Sequence, residues 1–120
     1  MPQEPPPVYT LITEILGWTL DRTAGFPKSA LFTFGQRLDN LTLDALQSVV
    51  RALYGPRRLK RAELDEINLT LEQLRALWRI TEARGWISAR QLLFIIGRID
   101  EAGRMVGGWL RQIKSAANEP

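Results

Sequence analysis

"RGWISARQLLFIIGRID", residues 84–100, holds a helix stop, a helix start and a core stripe in one run. Gly85 is the residue type that supplies a left-handed C-cap. Ser88 and Gln91 stand three apart, as a capping box requires, and Ile87 with Leu92 supplies the flanking hydrophobic staple. Past the cap, Leu92, Ile95, Ile96, Ile99, Ala102, Val106, Leu110 and Ile113 recur at three-four spacing, which draws one apolar stripe along a helix. Before the stop, Leu64, Ile67, Leu71, Leu74 and Trp78 do the same. Two long amphipathic helices joined by a few residues must run antiparallel.

The same punctuation divides the rest of the chain. Pro5 to Pro7 give an extended lead-in, with Pro7 where a first helical residue tolerates proline. Gly25 with Pro27, and Gly55 with Pro56, are further stops, again with glycine expected to supply the left-handed cap. Four segments result, 8–24, 29–54, 57–84 and 88–114. The first has its stripe at Val8, Leu11, Ile12, Ile15 and either Trp18 or Thr19. The second has Phe34, Leu38, Leu41, Ala45 and Val49. No stretch alternates with period two, so no strand is expected. The predicted fold is all-α: an antiparallel up-down-up-down four-helix bundle over 8–115. A Pro-rich tail, 1–7, precedes it and a short tail, 116–120, follows.

Composition removes several functions. The chain has no Cys and no His, which excludes thiolate and imidazole metal sites and the Cys–His and Ser–His nucleophile pairs. Asp65–Glu66 and Asp100–Glu101 are adjacent in sequence and so point about 100° apart on a helix, a poor acid/base pair. No Gly-rich loop follows a strand to cradle phosphate. The longest apolar run, Leu92 to Ile96, is far short of the roughly 20 residues that span a bilayer, and the N-terminus lacks an export signal. The expectation is a cytoplasmic protein with no cofactor, no metal, no membrane and no small-molecule substrate, and any enzyme reading must rest on carboxylates, Lys, Arg or Tyr. A small helical enzyme that binds a dianion through several Arg is a competing reading, and would need a deep interior pocket.

Two features exceed what a monomeric bundle requires. Leu43, Leu46, Val50 and Leu53 form a second stripe on the second helix, and Leu69, Ala76, Leu77 and Ile80 form one on the third. Helices apolar on two faces are usually buried on two faces, so self-association into a ring-like homo-oligomer is expected; a broad single stripe covered by the tails is the alternative. In the last helix Gly97, Gly103, Gly107 and Gly108 each cost about 1 kcal/mol relative to Ala. Close helix packing at Gly103-x-x-x-Gly107 is the expected compensation; a helix break at Gly107–Gly108 is the alternative.

Net charge is only +3, but it is unevenly placed. Arg51, Arg57, Arg58, Lys60 and Arg61 lie between Gln47 and Ala62 with no acid among them. Arg outnumbers Lys thirteen to three, which suits planar contacts to phosphate, although a GC-rich genome accounts for the same ratio. Arg90, Arg104 and Arg111 share one side of the last helix, with Lys114 beyond them, and Arg75 and Arg79 are a turn apart on the third. Such a surface attracts polyanions without base-specific contacts. Acids one turn away offer competing local pairs: Glu72 with Arg75, Glu82 with Arg79, Asp100 with Arg104. Arg37, among core positions, is expected to pair within the fold with Asp21, Glu101 or Asp44.

"FPKSALFTFGQRL" (26–38), "ISARQ" (87–91) and "DEAGRMVGGWLR" (100–111) together resemble the accessory variability determinant family of diversity-generating retroelements, from about Tyr9 to Lys114. That family is similar in fold to the proteins encoded by intervening sequences in bacterial large-subunit rRNA genes. The resemblance implies a non-enzymatic homopentamer whose basic surface engages a reverse transcriptase and nucleic acid, both RNA and DNA. The enzyme it assists copies a template RNA, with errors at adenines, into cDNA that replaces a variable region. The resemblance also implies that 26–29 is the loop into the second helix, that Gly35 lets helices approach, and that Lys28 is the segment's exposed contact. The candidate contacts, chosen on charge and exposure with no binding residue carried over from the family outside the quoted stretches, are Lys28, Arg57, Arg58, Lys60, Arg61, Arg75, Arg79, Arg90, Arg104, Arg111 and Lys114. The alternative is a bundle-forming assembly protein of the intervening-sequence type without nucleic-acid contact.

Overall fold

The computed structural model describes residues 7–118, and all the long elements among them are helices. They are α1 (Pro7–Thr23), α2 (Gln36–Tyr54), α3 (Lys60–Ala83) and α4 (Ala89–Asn118). The Pro-rich tail before Pro7 and residues 119–120 lie outside the described residues. α4 continues past the expected end at 114, because nothing in "SAAN" stops a helix. Each helix packs on its chain neighbours and α4 closes on α1, so the four form a square in cross-section, 55 Å long and about 25 Å wide.

The expected stripes form the core. Leu38, Ala45, Val49, Leu64, Ile67, Leu74, Trp78, Ile95, Ile99, Ala102 and Val106 are fully buried, as are Ile12, Ile15 and Thr19 of α1 to within a per cent. Near one end the filling is aromatic. Trp78 meets the edge of Trp18 at 5.1 Å between ring centroids and Phe26 at 6.5 Å, while Trp86 lies tilted against Phe26 at 5.6 Å and edge-to-face with Phe34 at 5.5 Å.

The α3–α4 turn is written as expected. Gly85 has φ +75°, its N–H bonds to Glu82 O and that of Trp86 to Thr81 O, the double bond of a Schellman motif. Ser88 N–H donates to Gln91 Oε1 at 2.9 Å and Gln91 N–H to Ser88 Oγ at 3.0 Å, completing the capping box.

The other two stops work differently from expectation, since Gly85 is the only described residue with positive φ. Gly55 is extended (φ −82°, ψ −178°), yet a Cβ there would stand 2.6 Å from Arg51 O, so sterics rather than chirality demand glycine. At Gly25 a Cβ would meet only Arg22 O at 3.6 Å, an ordinary contact.

The lead into α2 holds a feature outside the 3.6-residue pattern. After one helical turn (Lys28–Ala30), residues Leu31–Gly35 form a π-helical turn, with Gln36 N–H reaching Leu31 O. The extra residue rotates the segment so that Phe34 packs on Trp86 and Gly35 is buried under Phe26, while Phe32 is left 70% exposed. A Cβ on Gly35 would be 3.3 Å from the Phe26 ring and 3.6 Å from Thr23 Cβ, so glycine does let α1 and α2 approach. Arg37 is not an inward residue: it is exposed, with no ion pair among the described residues. It precedes the fully buried Leu38 by one residue, hence about 100° around the helix. The cross-bundle polar contact is made by Asp39, which accepts from Thr23 Oγ1 at 2.8 Å.

Candidate functional site

The corner between α2 and α3 carries the densest unpaired charge. Pro56, with φ −58° and ψ 135°, turns the chain out of α2, and Arg57–Leu59 form a 3-10 turn that runs straight into α3. Arg57, Arg58 and Arg61 are exposed, and none is in an ion pair among the described residues. All four cations stand on the N-terminal end of α3, where the helix dipole is positive, and no side chain caps that end. Charge of this sign costs a few tenths of a kcal/mol per residue at a helix N-terminus. These cations oppose the dipole, and Glu63 is the acid in the first turn of α3 that favours it. An anion would reverse that cost.

Because α4 is antiparallel to α3, its C-terminal half reaches the same end. Lys60 is partly covered, its ammonium 5.8 Å from the centroid of the Trp109 ring. Arg104, Arg111 and Lys114 are exposed along the same part of α4. The fold therefore gathers Arg57, Arg58, Lys60, Arg61, Arg111 and Lys114 at one end, with Arg104 two turns inward. Lys28, Arg79 and Arg90 are exposed at the opposite end.

Arg75 is in a different position. It bridges helices, with Nε donating to Asp100 Oδ1 at 2.7 Å and Nη1 paired to Glu72. The Glu72 pair is the one expected; the Asp100–Arg104 pair does not form, because Arg75 reaches Asp100 from the facing helix. Glu82 and Arg79 are not paired either. Arg98, absent from the sequence-derived candidates, is a second bridge, bound to Glu14 of α1 at 2.5 Å and Glu101 at 3.1 Å. Its signal was its three-residue spacing from Glu101; the Glu14 contact, 84 residues away, had none.

The glycines of α4 do not bring backbones together. A Cβ at Gly103 would meet only Arg75 Nη2, at 3.7 Å, and one at Gly107 only Arg111 Nη1, at 3.6 Å. Nor does the helix break, since α4 runs through Gly107–Gly108. Gly103 and Gly107 instead floor a surface groove of about 550 Å³ between α3 and α4, whose walls include Asn68, Arg75, Asp100, Arg104 and Arg111. The dianion-enzyme reading asked for a deep interior pocket; this groove lies between outer helix faces, with its most covered Arg already held by two acids.

Among the described residues no group of three or more acidic side chains is placed to hold a metal ion, and no helix is long and apolar enough to cross a membrane. A model of the bAvd-like family matches residues 9–113, nearly the whole chain. No curated protein and no solved structure matches it.

Proposed function

The chain belongs to the bAvd-like family of accessory variability determinants, and on that premise we propose that it serves a diversity-generating retroelement as a non-enzymatic accessory factor. It binds the reverse transcriptase and holds the template RNA and its cDNA on a basic surface, so supporting mutagenic copying and retrohoming. The observation that carries this reading is the corner of Arg57, Arg58, Lys60 and Arg61, unpaired and placed on the positive end of α3. Charge maintained against local stability is charge kept for a partner. A phosphate backbone needs no base-specific geometry to use it.

The working form is a ring of copies, with five favoured by the family. Exposed apolar residues support assembly. Leu20, Leu43 and Val50 flank the α1–α2 seam, the side on which Thr23 meets Asp39, while Leu69, Ile80 and Leu93 lie on the outer surfaces of α3 and α4. In a square bundle the α1–α2 edge is opposite the α3–α4 edge. Two different apolar surfaces on opposite sides favour head-to-tail contacts, and these close into rings when the rotation allows. A ring repeats the corner around one rim and multiplies its phosphate contacts.

Fluorescence anisotropy with labelled RNA, single-stranded DNA and duplex DNA over a salt series tests the reading. Binding with weak sequence preference should fall steeply as salt rises. Replacing Arg57, Arg58, Lys60 and Arg61 by Ala should flatten the slope of log K against log salt by roughly 0.7–0.9 per lost contact. An unchanged slope would move the contact to Arg90, Arg104, Arg111 and Lys114. No binding at low salt by an assembled protein would favour the second reading, an assembly protein without nucleic-acid contact, to which the exposed apolar residues also point. A clean 13.7 kDa monomer in native mass spectrometry would sink the ring. Co-expression and co-purification with a reverse transcriptase of a diversity-generating retroelement tests the remaining partner.

A further inference from the structure

Next to the basic corner lies a second concavity, of about 400 Å³, bordered by Pro7 of α1, Leu53 of α2 and Met105, Gly108, Trp109 and Gln112 of α4. Three properties distinguish it from a gap in packing. It is aromatic, with Trp109 only partly buried. It adjoins the corner through Trp109, whose ring centroid is 5.8 Å from the Lys60 ammonium. Among the described residues its mouth is open at Gly108, where an added Cβ would meet nothing closer than Arg111 Nη2 at 3.7 Å.

We infer that this pocket receives one unpaired nucleobase of a single strand whose phosphates lie on Arg57, Arg58 and Arg61. The inference rests on the nucleic-acid reading above and sharpens it from polyanion binding to single-strand binding. Apolar walls of Leu53, Met105 and Pro7 suit the faces of a planar heterocycle, and Trp109 supplies a π surface that any of the four bases can use. Gln112, exposed at the rim, offers both a donor and an acceptor to a base edge. The charge of the neighbouring corner, and not of the uncharged lining, selects the occupant. An apolar peptide anchor would gain nothing from three unpaired guanidinium groups, whereas a nucleotide places its phosphate beside its base. A duplex holds its bases stacked and paired, so it reaches the corner cations but not the pocket. Single strands, such as template RNA and nascent cDNA, satisfy both.

The test separates base from backbone. A short labelled single strand is compared by anisotropy with an abasic strand of equal length and with the matching duplex, all on the full chain at low salt. The base-bearing strand should bind about tenfold tighter than the abasic one, within the range of a single base–aromatic stack. Trp109→Leu should bring that ratio close to one, Trp109→Phe should retain most of it, and duplex binding should not change in either. Gly108→Leu fills the mouth while improving helix propensity, so it keeps the test valid if Trp109→Leu fails to fold, and it should abolish the ratio too. The Arg57, Arg58 and Arg61 triple Ala variant should weaken base-bearing and abasic strands equally. Equal binding of those two strands by the wild-type chain overturns the pocket and leaves the polyanion role intact. A ratio that survives Gly108→Leu also overturns it, giving the pocket to another occupant. Loss of all three ligands at low salt overturns both readings together.

Discussion

The two ends of the bundle are built on opposite principles. At the α3–α4 turn, Trp18, Phe26, Phe34, Trp78 and Trp86 interlock, the chain reverses through a Schellman motif, and a capping box opens α4. At the α2–α3 corner there is no side-chain cap, the turn is short, and four cations crowd a helix start whose dipole favours acids, with Glu63 the acid in its first turn. Stability is concentrated where local and tertiary preferences agree. The end where they disagree is free to be organised by something other than folding, and there the binding reading lies.

Substitutions can break or sharpen that contrast. Trp78→Ala at the aromatic end should have the largest effect, about 3–5 kcal/mol of lost stability in chemical denaturation, because a fully buried ring is replaced by a cavity. A loss near 1 kcal/mol would mean that the aromatic cluster is slack. Ser88→Ala comes next: it frees the Gln91 N–H and should cost about 1 kcal/mol, read from the melt of the same protein. Gly103→Ala should go the other way and stabilise by up to ~1 kcal/mol, since the added methyl meets only a guanidinium edge. Destabilisation there would restore close packing, in a neighbouring copy if not in this chain. Arg61→Gln at the basic end should be the smallest, stabilising by about 0.3 kcal/mol at low salt and by nothing at high salt. If it destabilises instead, the corner is structural and the contrast between the ends is wrong.

What the residue pattern revealed was local. The Ser88–Gln91 box, the Gly85 stop and the three-four stripes depend on neighbours within one or two turns, and each reappears in the fold. Arg37 was misplaced because core positions surround it in sequence, whereas one residue before the fully buried Leu38 is about 100° around the helix from it and faces out. The Asp100–Arg104 pair failed because a helix-local rule cannot see Arg75 arriving from the facing helix. Gly103-x-x-x-Gly107 suggests close packing on paper, but only the assembled bundle shows that its neighbours are side-chain tips. For the candidate contacts, the chain showed which residues were basic; folding showed that six gather at one end and that Arg75 is held by acids.

The π turn has a consequence for how this chain tolerates changes in length. It accommodates one residue more than a continuous α-helix would, and it does so upstream of Gln36, so the phase of α2 through Tyr54 is independent of it. Removing an exposed residue such as Thr33 would return the stretch to ordinary helix, with the 24–27 turn taking up the roughly 1.5 Å of lost rise. Phe34 would then rotate away from Trp86, so the deletion trades one aromatic contact for a relaxed backbone instead of dismantling the bundle. Helix content and a melt on the deletion variant would measure that trade. Within a chain whose other helices admit no such edit without turning their core stripes outward, residues 31–35 form a one-residue expansion joint.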